Sequence, residues 1–243
     1  MPYLSRRQLL LGLGAVALGG AGIAWGGITL RTRQLAEETR IIVTDPTPDP
    51  APPIIDRATW GALPPDHNAP NERGFYSALN PGGWRVYEGA LADVYRTVVI
   101  HHSVVYEATP ARTLAAIQTL HRQTRGWADV AYHYFVSQAG DIYEGRALDV
   151  RGAHVAGHNT GSVGVCLLGD FTQSYPTIDQ LASTQALLRW LTTTLDLTHL
   201  AAHRDFNDWT ECPGQHLLDR LETLADDVGL QIGTDGYVAP GAS

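Results

Sequence analysis

Residues 97–101, Thr-Val-Val-Ile-His, form a β-branched apolar run that ends in histidine. A run with no polar alternation predicts a strand buried on both faces, with His101 delivered at its end. Thr109-Pro110 predicts a helix start, since proline suits the first helical position. That helix continues through Leu114, Ile117 and His121 and stops near Gly126. Residues 131–137 alternate as a strand does, and Gln138-Ala139-Gly140-Asp141 predicts the turn of a hairpin into Ile142-Tyr143-Glu144. Residues 163–168 read as a second buried strand. Thr177 is placed as a helix cap with Gln180 completing a capping box, ahead of a stripe of Leu181, Leu188, Leu191 and Leu195. A short strand near 198–202 leads to His203, and Leu217, Leu218, Leu221, Leu224 and Val228 mark a last helix. Strands alternating with helices predict an α/β fold: one domain, with a central mixed β-sheet flanked by helices.

The start of the chain has a different pattern. Ser5-Arg6-Arg7 precedes an apolar, Gly/Ala-rich run from about Leu9 to Leu30, which is long enough to span a bilayer. A twin arginine before such a run resembles a Tat export signal. No clear Ala-x-Ala site follows, so residues 1–30 are either a cleaved signal or a retained membrane anchor and tether. Both readings place the remainder outside the cytoplasm: secreted, in the periplasm or cell wall, or held at the outer membrane face. Residues 44–53 are dense in proline, which favours an extended spacer. The expected division is signal or anchor 1–30, Pro-rich linker 31–53 and folded domain 54–243.

The 243 residues are 44% hydrophobic and 17% charged, a globular composition. All 17 basic residues are Arg, which excludes any lysine-dependent mechanism. The first 40 residues hold five Arg and two Glu, so the remaining 12 Arg and 23 acids leave the rest at about −11. Nucleic acid is not an expected partner of so acidic a domain. Two cysteines, Cys166 and Cys212, are too few for a disulfide scaffold, but they could form one bridge or supply a metal ligand.

His101, His203 and Cys212 are the residues whose chemistry stands out. Imidazole and thiolate are preferred zinc ligands, and three protein ligands leave a fourth position for water. Spacing alone is weak evidence, because the chain has ten His and such a trio is more often structural.

The context changes that balance. Arg57-x-x-Trp60-Gly61-Ala62, Val99-Ile100-His101-His102-Ser103 and Gln118-x-x-His121 occur in order. Gly126-Trp127-Ala128-Asp129-Val130-Ala131-Tyr132-His133-Tyr134-Phe135 follows, then Tyr143-Glu144-Gly145-Arg146, Gly152-Ala153-His154 and Asn159-x-x-Ser162-Val163-Gly164-Val165. His203-Arg204-Asp205 and Thr210-Glu211-Cys212-Pro213-Gly214 close the series. Together they resemble the type-2 N-acetylmuramoyl-L-alanine amidases, the group that includes peptidoglycan recognition proteins and phage T7 lysozyme. The resemblance covers about residues 54–220.

The resemblance implies one zinc ion held by His101, His203 and Cys212, and hydrolysis of the amide between N-acetylmuramic acid and L-alanine in peptidoglycan. It implies catalytic roles for Tyr132 and Thr210 and a peptidoglycan or muropeptide partner; a monomer is expected. Substrate contacts are expected from His154, Arg146, Trp127, Gly126 and Asn159, with His154 balanced between touching substrate and a structural role. Gly126-Trp127 with Arg146 resembles the pattern associated with a meso-diaminopimelate stem, whose extra carboxylate a guanidinium can grip; pinning of the hairpin by Arg146 is the rival reading. The alternative function is a non-catalytic peptidoglycan-binding module, and a third is a structural cell-wall protein without turnover. Two departures stand out. Eight residues separate His203 from Cys212, longer than usual, with Asp208-Trp209 in place of a lone proline. An insert of 33 residues, Leu63–Tyr95, lies between Ala62 and Arg96.

Overall fold

The computed structural model describes residues 49–72, 86–87 and 89–238. The export segment expected over 1–30, and the linker as far as residue 48, lie outside the described residues. Among the described residues, no helix is long and apolar enough to cross a membrane.

Seven strands make one sheet: β1 (Ile54–Ile55), β2 (Thr97–His102), β3 (Tyr134–Val136), β4 (Ile142–Glu144), β5 (Ser162–Leu167), β6 (His199–Ala202) and β7 (Gln231–Ile232). Their spatial order is β1-β4-β3-β5-β2-β6-β7. β3 and β4 form the antiparallel hairpin, and every other pair is parallel, so the sheet is mixed. Parallel neighbours need crossovers, and helices supply them. They are α1 (Leu91–Val94), α2 (Pro110–Thr119), α3 (Ile178–Leu195), α4 (His203–Phe206) and α5 (Gln215–Val228). α2 is capped by Thr109, whose hydroxyl accepts from the Arg112 N–H, and it runs on into a π-helical turn, Leu120–Thr124.

β2 lies between β5 and β6, and all six of its residues are buried. Side chains alternate along a strand, so its two faces have different fates. Val98 and Ile100, with Val163, Val165 and Leu167 of β5, pack against Leu187, Leu188 and Leu191 of α3 and Leu217 and Leu221 of α5. The opposite face carries Phe135, Cys166 and Leu168 against Leu114 and Ile117 of α2 and Trp60. His101 follows Ile100 and pairs in register with Cys166, so it belongs to this second face.

Two local expectations are corrected. Thr177 does cap α3, accepting from the Gln180 N–H at 3.0 Å. Gln180 does not complete a capping box; its amide turns inward and donates to the carbonyls of Val136 and Leu168. Those strand-end carbonyls are buried and need a donor, which outweighs a second cap bond. The strand expected over 131–137 is shorter, because residues 131–133 make bonds outside the ladder. The Ala131 N–H donates to His121 Nδ1, and the His133 N–H donates to the Gly164 carbonyl. A Cβ at Gly145 would lie 2.2 Å from the Tyr132 carbonyl oxygen, so only glycine permits this approach.

Candidate metal centre

The fold brings His101, His203 and Cys212 together from the end of β2, the first residue of α4 and the loop before α5. One ligand atom from each lies within 4.8 Å of the others. Cys212 Sγ is 3.6 Å from His101 Nδ1, and the two imidazole rings are 4.7 Å apart between centroids. The His102 backbone N–H donates to Cys212 Sγ at 3.5 Å. His102 itself faces away, with Nδ1 accepting from the Phe171 N–H. The Cys212 loop is clamped from within. The Arg204 N–H donates to the Cys212 carbonyl, and the Cys212 N–H donates to Thr210 Oγ1 at 3.2 Å. Gly214 lets the loop press against strand-following backbone, since a Cβ there would come within 2.4 Å of Phe171.

The donor set suits a metal ion. Burial pushes His101 well below its ordinary pKa, and burial lowers His203 to about 4, so both imidazoles are neutral with a lone pair to offer. Among the described residues, no hydrogen-bond partner meets His203 Nε2, a buried polar atom that a cation would satisfy. Burial raises the Cys212 thiol to about 12, so a thiolate there needs a cation to hold its charge. Cys166 and Cys212 are both free, and Cys166 is buried in the apolar cluster against which Tyr132 packs.

Tyr132 stands beside this cluster, its ring 4.9 Å from that of His101. Burial, then the neighbouring Cys166 and Cys212, raises its hydroxyl well above the ordinary tyrosine value, so the phenol stays protonated and can donate. The segment carrying Tyr132 is anchored by residues of the sequence motifs. Asp129 accepts from Gln118 at 2.6 Å and pairs with Arg57 at 2.6 Å, while the Trp60 indole donates to the Glu144 carbonyl. Thr210 is half-buried two residues before Cys212.

The residues expected to contact substrate divide. Trp127 is half-buried, its ring 4.9 Å from that of His121. Asn159 is turned inward, with Oδ1 accepting from the Val155 N–H at 2.7 Å, and so holds the loop after His154. His154 is buried, with Nδ1 3.0 Å from His101 Nε2 and Nε2 3.3 Å from the Ser162 carbonyl. Both ring nitrogens are engaged inside the protein, which fits the structural one of the two roles the sequence left balanced for His154.

Arg146 fits the hairpin-pinning one of its two readings. It is buried, donating to both carboxylate oxygens of Glu72 and to the carbonyls of Val130 and Arg151. Gly126 is half-buried, with the insert packed against its Cα. A Cβ there would lie 2.9 Å from the Asn71 amide and 3.1 Å from Pro70. Pro70 and Asn71 of the insert pack beside Gly126, and the next residue, Glu72, engages Arg146. Sequence reasoning missed Glu72, and no local pattern marks it: its partners lie 56 and 74 residues away.

A family model described as N-acetylmuramoyl-L-alanine amidase matches residues 92–215, which contain both histidines and Cys212 of the cluster. The chain belongs to the N-acetylmuramoyl-L-alanine amidase family. Among its relatives, it is 30% identical over 144 residues to the peptidoglycan-recognition protein SC2 of Drosophila melanogaster, across 56% of this chain and 78% of that one. It is 33% identical over 183 residues to a human N-acetylmuramoyl-L-alanine amidase, across 71% of this chain and 28% of the relative. Among solved structures, an endolysin amidase from Clostridium intestinale superposes with a TM-score of 0.55 at 28% identity, over 75% of this chain and 99% of that one. Peptidoglycan recognition protein LE, solved with tracheal cytotoxin bound, superposes at 0.54 with 31% identity, over 70% of this chain and 92% of that one. The amidase family thus includes relatives named as enzymes and relatives named for recognition.

Proposed function

We propose that this protein is a zinc-dependent amidase that hydrolyses the bond between N-acetylmuramic acid and L-alanine in bacterial peptidoglycan. The observation that carries the reading is the convergence of two neutral imidazoles and one thiol with Tyr132 beside them. His101, His203 and Cys212 would hold the ion, a three-ligand set that leaves a position open. Bound there, zinc supplies Lewis acidity and brings the pKa of water towards neutrality.

The chain's own residues supply the remaining functions. Tyr132 donates its phenolic hydrogen to the charge that develops on the carbonyl oxygen during attack, where a fixed donor is worth most. The Thr210 oxygen already accepts from the Cys212 N–H, which orients the hydroxyl and leaves its hydrogen for the tetrahedral intermediate. Trp209, in the lengthened loop, is 71% exposed with its ring 5.9 Å from that of His203. It gives substrate an apolar surface at the rim of the centre. The twin arginine and apolar run before residue 31 support action outside the cytoplasm, where this substrate lies.

Mass spectrometry of muropeptides after digestion tests the proposal. Expected products are peptide-free N-acetylmuramic acid and stem peptides beginning with L-alanine, lost with chelator and restored by zinc. Binding of sacculi with no cleavage at any metal concentration would make the protein a recognition module instead.

A further inference from the structure

The amidase reading assigns three residues to the metal and leaves His154 without a task. His154 nevertheless occupies a place built for it. Its ring lies over Gly164 in the middle of β5, where a Cβ would come within 2.6 Å of the ring carbons. Gly152 meets the ring from another direction, its Cβ position 2.5 Å from Cδ2 and 2.9 Å from Nε2. Gly164 does not need a left-handed conformation; its missing side chain makes room for an imidazole on the face of the sheet that carries His101.

The hydrogen bonds then settle where each proton sits. The Ser162 carbonyl can only accept, so His154 Nε2 carries hydrogen. A neutral imidazole with a protonated Nε2 has a lone pair on Nδ1, and that atom lies 3.0 Å from His101 Nε2. His101 Nε2 must therefore be the donor, which leaves the His101 Nδ1 lone pair facing Cys212 Sγ at 3.6 Å. Both rings are buried, and a 3.0 Å contact between two ring nitrogens requires that one donates and the other accepts.

We infer that His154 is a positioning residue: through the Ser162 carbonyl, it fixes the Nε2–H tautomer of His101 and aims Nδ1 at the metal position. A partner on the far nitrogen of a ligating histidine orients the ring and strengthens it as a ligand, and such partners typically matter about 10–100-fold in metal affinity. Here the partner is a second histidine, whose own tautomer is set by a strand carbonyl, so the ligand is tuned without placing a charge in the core. The inference rests on the reading of His101, His203 and Cys212 as ligands.

Chelator competition on the folded protein measures the effect. His154→Leu fills the cradle but cannot accept a hydrogen bond, and it should weaken zinc binding by about 10–100-fold. His154→Asn places an oxygen where Nδ1 was and should retain most of the affinity. Nitrogen-15 spectra of wild-type, zinc-loaded protein should show His101 protonated at Nε2 and ligated through Nδ1, a readout that needs no variant to fold. Equal zinc affinity in wild type and His154→Leu, equal losses in the leucine and asparagine variants, or His101 ligated through Nε2 would each overturn the relay. Failure of wild type to bind any metal would instead overturn the metal reading itself.

Discussion

Glu72 and Arg146 form a two-pronged ion pair inside the protein, with oxygen–nitrogen distances of 2.8 and 2.9 Å and only 3% of each residue exposed. Glu72 comes from the insert and Arg146 from the end of the hairpin, and the Glu72 carboxylate also takes the Ala128 N–H. A buried pair of this kind says little about net stability, because desolvation offsets attraction, but removing one partner strands the other.

Arg146→Ala and Glu72→Ala should therefore each destabilise the fold by about 3–5 kcal/mol in urea melts. With the guanidinium held by Glu72, wild type should cleave diaminopimelate-type and lysine-type muropeptides at similar rates. A strong diaminopimelate preference that Arg146→Ala erased would mean that the pair opens for substrate.

Removing the thiol should remove the metal. Purified protein should carry about one zinc per chain, and Cys212→Ser should lose both zinc and turnover, since two imidazoles alone make an incomplete site. Tyr132→Phe separates the roles: zinc content should be retained while turnover falls about a hundredfold or more. Full activity in a metal-free preparation would contradict the proposed chemistry.

Trp209→Ala should leave stability within about 0.5 kcal/mol, because an exposed side chain loses little packing. Loss of an aromatic surface worth about 0.5–1.5 kcal/mol should raise KM about 2–10-fold with kcat nearly unchanged. An unaltered KM would show that substrate does not reach this loop.

Acid should destabilise the domain partly through His133. Burial lowers this histidine to about 4, and the ring bridges the Gly164 N–H and the Val150 carbonyl. An unfolded histidine titrates near 6.5, so between pH 6.5 and 4 the unfolded chain binds the extra proton. The contribution is complete above about pH 6.5 and falls by about 3 kcal/mol as pH drops to 4. His121, lowered to about 3 by burial, acts in the same direction. Denaturant melts across this range on chelated protein should be less pH-dependent in His133→Asn than in wild type. Parallel pH profiles would show that His133 protonates in the folded state as readily as in the unfolded chain.

Much of the architecture was legible from short windows of sequence. The β-branched run at 97–101, the Thr109-Pro110 start and the leucine stripe after Thr177 are signals carried by residues close together in the chain, and the observed strands and helices follow them. β1 and β7 escaped notice because two residues are too few for a period. His101, His203 and Cys212 were legible through the family resemblance rather than their spacing, and the parallel pairing of β2 with β6 brings the two histidines side by side.

What tertiary structure alone decided is which groups those residues face. Arg146 could equally have gripped a ligand carboxylate or a protein one, and Glu72, 74 residues away, determined which. His154 could have faced substrate, but the space over Gly164 and the lone pair it offers His101 turned it inward. Gln180 could have completed a cap, but two buried carbonyls claimed it. Periodicity reports which side of an element is buried because that depends on neighbours a few residues away. A buried polar group instead takes the partner that the packed chain brings within about 3 Å, and separation along the sequence carries no record of that distance.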